Sequence, residues 1–295
     1  MAGASRDHHS LEMQLDLYVF LAVLGAAAMH ASWNAIVRIG ADRFTAMLLM
    51  AVGSGVISVP LIIIFPTPTV DAWGWLALSV LFHTGYKLSL LTAYKHGDLS
   101  QIYPLARGTA PVLVTGISIL FLNEIAPLDD LLAILFIAGG VFFMSFKGGG
   151  AGLSRTGLLF AMATACCTAG YTLTDGVGAR TGGDPSGYAG WLFFLDGIAM
   201  VIIALWMRGR NVLAPIKTHW RSGLLAGGLS LGSYWVAIWA FTLAPIALVG
   251  ALRETSVLFA MLIAAVFLKE PVGPSRWAAA VLILCGVALL RLEVF

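Results

Sequence analysis

Ten stretches of about 20 mostly apolar residues, separated by short polar breaks, dominate this sequence. They lie near residues 17–37, 44–65, 73–94, 102–122, 128–146, 157–178, 187–207, 223–243, 246–268 and 277–292, the fifth and tenth being short. A bilayer span needs about 20 such residues. The chain is 59% hydrophobic and 11% charged, whereas soluble domains carry roughly a quarter charged residues. A soluble fold of 295 residues could not coat that much apolar side chain with polar surface. Backbone groups in lipid must be satisfied within the protein, and these runs are too long and uniform for barrel strands. The sequence therefore predicts an all-α polytopic membrane protein with ten transmembrane helices.

The separators, among them PTPTVD, KHGDLSQ, NEIAPLDD, TGGDPSG and KEPVGPS, carry turn residues and have no room for a soluble domain. Residues 1–16 read as a polar N-terminal tail without the basic flank and cleavage site of a signal peptide. Residues 147–156 read as a Gly-rich linker between residues 17–146 and 157–295, two five-helix units. The units echo one another: RGTAPVLVTGISILFLNE from Arg107 and RETSVLFAMLIAAVFLKE from Arg253 align at an offset of 146. Arg107/Arg253, Thr109/Thr255, Ile117/Ile263, Phe121/Phe267, Leu122/Leu268 and Glu124/Glu270 coincide. An odd number of helices per unit makes the second copy enter from the opposite side. That is an inverted repeat, a plan that places a site at the repeat interface around a central cavity.

Arg38, Arg43, Lys95, Lys147, Arg155, Arg208, Arg210, Lys217, Arg221, Lys269 and Arg276 fall on one side of such a topology, against Arg6, Arg180 and Arg291 on the side of the termini. The positive-inside rule places both termini in the periplasm of a bacterial inner membrane. The net charge of +2 gives no reason to expect nucleic acid. Cys166, Cys167 and Cys285 lie in apolar runs and form neither a disulfide framework nor a metal site. No cofactor is expected.

YPLARGTAPVLVTGISILFLNE followed by LLAILFIAGGVFFM, with the second-half echo FLKE and the closing LILCGVALLRL, resembles the EamA-type signature of the drug/metabolite transporter superfamily. Within it, YddG-type amino-acid exporters are the nearest likeness. The resemblance implies a ten-helix basket and export of amino acids or related metabolites. It also implies cytoplasmic termini, against the charge count.

Ionisable residues inside spans are costly and mark sites by default. Lys87, Arg107 and Arg253 are such cations, and the two arginines are repeat mates. Arginine forks match carboxylates; the alternative is pairing with a nearby acid, and Glu254 adjoins Arg253. Tyr103 precedes Arg107 near its helix start. His30, Trp33 and Asn34, and again His83, Tyr86 and Lys87, share helical faces. Stripes of this kind suit a wet cavity, the plainer reading of each histidine being an interhelical hydrogen bond. Tyr171 and Asp175 form another such pair, with Asp175 the candidate partner for an ammonium group, and Tyr234 is the aromatic singled out in the eighth span. Gly223 with Gly227, and Gly228 with Gly232, read as close-packing contacts.

No Gly-x4-Gly-Lys-Ser/Thr run, Gly-x-Ser-x-Gly or His-Glu-x-x-His motif occurs. The expected function is a secondary transporter, not an enzyme, that exports small zwitterionic metabolites by alternating access. Its partners are a small-molecule substrate and the lipid bilayer. A multidrug exporter of cations is the rival within transport, disfavoured by buried cations outnumbering buried acids, and a membrane enzyme is the rival outside it. Proton coupling stays open, with His30, His83, Asp175 and Glu254 as candidate carriers.

Overall fold

The computed structural model describes residues 17–39, 42–97, 99–124, 127–144, 154–267, 269 and 272–292. The expected N-terminal tail, most of the Gly-rich linker, and Leu268 and Glu270 of the repeat alignment lie outside them. Among the described residues there are helices and turns and no strand.

The first half holds α1 (Leu17–Ile39), α2 (Arg43–Ile64), α3 (Ala72–Ala93), α4 (Leu99–Phe121) and α5 (Leu128–Phe143). The second holds α6 (Arg155–Thr181), α7 (Pro185–Arg208), α8 (Ala214–Phe241), α9 (Ile246–Arg253), α10 (Ser256–Val266) and α11 (Pro274–Leu292). Helix starts follow the sequence. Asp184 accepts from the Ser186 and Gly187 amides at 2.8 and 2.9 Å, with Pro185 at the first position of α7. Asp42 caps α2 through Phe44 and Thr45. The first turn of α8 ends in non-helical geometry at His219, so its apolar part begins beside Gly223, where the hydropathy rises.

Nine spans among the described residues are long and apolar enough to cross a membrane. Helix α5, with 16 residues, is about 24 Å long at 1.5 Å per residue, short of the ~30 Å hydrocarbon core. The ninth expected span, 246–268, is long and apolar enough to cross as one run, Ile246–Val266, but its helix tightens partway along. It breaks at Glu254 and Thr255 into α9 and α10. The chain crosses the break on i to i+3 bonds, Glu254 N–H to Ala251 C=O at 2.9 Å and Val257 N–H to Glu254 C=O at 3.0 Å. Such a tight turn within a helical run is a common mark of a functional hinge.

The helix pairings come in sets that exchange when the halves are swapped. Helix α3 packs on α6 and α8 on α1; α4 packs on α6 and α10 on α1; α2 meets its mate α7, and α5 meets α11. This is the arrangement that two related five-span repeats produce around a common axis. Helices α2 and α8 cross so closely that a Cβ on Gly53 would collide with the Gly223 carbonyl, and one on Gly227 with the Gly53–Ser54 backbone. The Ser54 hydroxyl donates to Gly227 C=O at 3.0 Å across the crossing. Gly228 and Gly232 meet only side-chain tips of Ile57 and Met29, so the first glycine pair makes the contact and the second does not.

Large apolar side chains such as Ile63, Leu120, Phe121, Trp206 and Trp277 are exposed on the outside, where lipid is the solvent. The interior holds the reverse: Lys87, Arg107, Arg253, Asp175, Asp196 and Glu254 are all buried.

Candidate functional site

The polar interior resolves into three groups of side chains. The first is built on Arg107 of α4. Its Nε donates to Glu254 Oε2 at 2.7 Å and its Nη2 to Ser256 Oγ at 3.0 Å, both from the broken ninth span. Its Nη1 lies 3.0 Å from His30 Nε2 on α1. Arginine can only donate, so His30 Nε2 accepts and the ring hydrogen sits on Nδ1. Tyr103 lies one turn before Arg107 and presents its ring 5.7 Å from the guanidinium carbon. All three nitrogens of Arg107 are thereby engaged. Its acid is Glu254, 147 residues away in sequence.

The second group surrounds Asp175 of α6, whose side chain is 0% exposed. The Tyr234 hydroxyl donates to its Oδ2 at 2.7 Å and the Tyr188 hydroxyl to its Oδ1 at 3.1 Å. His83 Nε2 lies 3.1 Å from Oδ2. The His83 ring stacks on Tyr171 with centroids 4.2 Å apart, and Tyr86 meets Tyr171 edge-on at 5.8 Å. The third group is Lys87 of α3 with Asp196 of α7, bonded at 2.5 and 2.6 Å to the two carboxylate oxygens.

Arg253 differs from the other two cations. Its guanidinium lies over the Tyr234 ring at 4.5 Å and forms no ion pair among the described residues. It is buried nonetheless. Arg107, Arg253 and Glu254, together with Tyr171, Thr168 and Thr172, line a cavity of about 10 Å³ between α4, α6 and α9. That is about the space of one water-sized sphere.

The structure thus brings together most of the residues that the sequence singles out. Arg107, Tyr171 and Arg253 line the cavity. His83, Asp175 and Tyr234 form the layer behind Tyr171, and Tyr86 packs on that layer's edge. His30 and Tyr103 hold Arg107. Three expectations are displaced. Asn34 turns its amide onto the His30 carbonyl of its own helix at 2.8 Å. Trp33 is buried against Met50 and Ala226, touching the group only through the edge of His30 at 5.0 Å. Lys87 is committed to Asp196, away from the cavity wall.

Asp196, Tyr188 and Ser256 belong to these groups without being singled out beforehand. For Asp196 the signal was present, an acid inside the apolar run WLFFLDGIAM. Counting it corrects the charge argument: among the described residues three buried cations face three buried acids, so cations do not outnumber acids. Among the described residues no group of three His, Cys, Asp or Glu side chains could hold a metal ion.

At the end of the bundle that carries the α4–α5, α6–α7 and α8–α9 connections, Arg180 of α6 joins the halves. It donates to Glu124 at 2.6 Å and to the carbonyls of Phe241 and Ala244 at 2.8 and 3.0 Å. Glu124 in turn accepts from the Ile246 amide at 3.2 Å.

Two related helical repeats, a lipid-facing apolar exterior and a charged interior at the repeat interface define a multi-pass membrane transporter. The chain belongs to the EamA-like transporter family, which matches residues 17–146 and 155–292. No curated protein matches at a significant level. A solved structure titled "Crystal structure of protein" superposes with a TM-score of 0.73 at 16% identity, covering 94% of this chain and 96% of its own. At that identity the likeness speaks for the fold alone.

Proposed function

We propose that this protein is a secondary transporter that exports small zwitterionic metabolites, amino acids foremost, by alternating access across a bacterial inner membrane. The observation that carries the reading is the state of the charges at the cavity. Each buried acid among the described residues has partners: Glu254 has Arg107, Asp196 has Lys87, and Asp175 has two phenols with His83 alongside. Among the described residues, Arg253 is the buried cation without an anionic partner, and it lies in the cavity wall. A buried cation is stabilised by a partner it can bond in bidentate fashion, and a carboxylate offers that geometry. Glu254, in the same wall, offers an acceptor to an ammonium group. His83, Tyr86, Tyr171, Asp175 and Tyr234 shape and polarise that wall from behind, and His30 and Tyr103 orient Arg107.

The test is uptake and counterflow in proteoliposomes with labelled amino acids. Tetraphenylphosphonium serves as the probe for the multidrug rival. Saturable counterflow of one or more amino acids is expected. Transport of the lipophilic cation alone would replace this reading with the rival.

A further inference from the structure

Asp175 raises a question that substrate binding does not answer. It is wholly enclosed, absent from the cavity lining, and within a membrane-spanning helix. Two phenol hydroxyls donate to its two oxygens and His83 Nε2 lies 3.1 Å from one of them, a set of contacts that suits a carboxylate, which offers acceptors alone. A buried anion needs a compensating charge. Two groups can supply one. His83 touches Asp175 directly, and Arg253 lies over the ring of Tyr234, whose hydroxyl donates to the same Oδ2.

With His83 neutral, the charges of Asp175 and Arg253 cancel. A carboxylate placed on Arg253 takes that compensation away; Asp175 is enclosed and absent from the cavity lining, so the ammonium of the same zwitterion, facing Glu254, does not replace it. One proton on the imidazole restores the balance, with Nε2 still donating to Asp175 and the added hydrogen on Nδ1. The proton comes from water and returns to water, and no other bond changes. The other ionisable groups around the cluster leave His83 as its proton acceptor. On α3, Tyr86 packs against Tyr171, and Lys87 is bonded to Asp196 of α7. From α6 comes Tyr171 itself, and from α7 and α8 come the two phenols already donating to Asp175. Beyond Tyr171, across the cavity, Arg107 of α4 and Glu254 neutralise each other.

We propose that His83 and Asp175 form a proton-binding site, one aromatic ring behind the cavity, that fills when a carboxylate occupies Arg253, so that substrate and proton cross the membrane together. Proton and carboxylate then raise each other's affinity by the same factor, as linkage requires. Export coupled in this way carries the proton outward against an inward proton gradient, so it runs only where the substrate's own outward gradient exceeds that opposition. The proposal rests on the reading of Arg253 as a carboxylate site, but the proton site itself can be tested without any substrate.

The full-length protein, labelled with ¹⁵N-histidine and purified in detergent, is scanned from about pH 5 to about pH 8, the range in which histidine normally changes charge. The H83Q variant identifies the His83 ring signal by its loss. Replacing Arg253 with Gln imitates its neutralisation. The expected result is that the His83 titration moves to higher pH by about one unit in R253Q, a tenfold gain in proton affinity. It should stay in place in R253K and move to lower pH in D175N. A His83 titration unmoved in both R253Q and D175N overturns the proposal. L-leucine and L-phenylalanine are then added to the wild type. A shift in the R253Q direction supports the coupling. Counterflow of either amino acid with His83 unmoved overturns it. If R253Q moves the titration while neither amino acid shifts it or is transported, the amino-acid reading fails and the proton site stands.

Discussion

Glu254 accepts from Arg107 across the repeat interface at 2.7 Å, and its sequence neighbour Arg253 has no ion pair among the described residues. Consecutive residues in a helical run point in different directions. Arg253 turns toward Tyr234, and Glu254, at the break between α9 and α10, turns toward α4. The two repeat-mate arginines both line the cavity but differ in their partners: Arg107 is bonded to an acid, whereas Arg253 lies over an aromatic ring.

The Arg107–Glu254 pair should behave as a buried ion pair in stability measurements. Removing one partner from such a pair costs about 3–5 kcal/mol, because the other charge is left buried and uncompensated. Arg107→Gln and Glu254→Gln should each lower the thermal midpoint of the purified protein sharply. The double variant should lose much less than the sum of the two. Additive losses would show that the two side chains do not act as a pair.

Arg253→Gln should leave the thermal midpoint closer to wild type than Arg107→Gln does, and should impair transport more than stability. Losing one charge-assisted hydrogen bond to a carboxylate costs about 1.5–3 kcal/mol, or roughly ten- to a hundred-fold in apparent affinity. Lys at the same position keeps the charge and loses the fork, so its half-saturation should fall between wild type and Gln. Normal transport by folded Arg253→Gln protein would remove this residue from the substrate's path.

The clasp of Arg180 on Glu124 joins the two halves at one end and must open if that end admits substrate. With Cys166, Cys167 and Cys285 replaced by Ala or Ser, the double variant Glu124→Cys, Arg180→Cys should be cross-linkable by a short thiol reagent. Cross-linking should stop transport in proteoliposomes, and a cleavable linker should allow its recovery on reduction. Unchanged transport in the linked protein would mean that this end stays closed throughout the cycle.

Eleven basic residues on one set of connections against three on the other lead us to expect both termini in the periplasm. A fusion after Phe295 to a reporter active only in the cytoplasm should be silent, and a periplasmic reporter at the same point should be active. The opposite pattern would place the Arg180 clasp on the cytoplasmic side.

The spans and their two-fold echo were legible because lipid demands about 20 apolar residues in a row, a constraint written locally in the chain. The cations were legible for the same reason, since each interrupts such a run. Their partners were not. Lys87 finds Asp196 and Arg107 finds Glu254 across more than 100 residues, and helical periodicity carries no information about which helix a face will meet. The break at Glu254 and Thr255 was hidden too. RETSVLFAM contains neither Pro nor Gly, and the turn forms where Glu254 and Ser256 both bond Arg107. Pro104 and Pro111, which look like stronger signals, lie inside the continuous helix α4.

In the repeat alignment the mate of Glu254 is Gly108, and Gly108 is pressed against α5 so tightly that a Cβ there would meet the Phe142 backbone and side chain. No acid can be accommodated on that side. The two halves thus share an arginine but not its carboxylate, and exchanging their shapes does not regenerate the same set of contacts. For a protein that alternates access, the inward-open and outward-open forms are then expected to differ in energy before any gradient is applied. We therefore expect an unloaded protein that alternates access to favour one opening, so that a blocker added to one compartment of a proteoliposome acts more strongly than the same blocker added to the other.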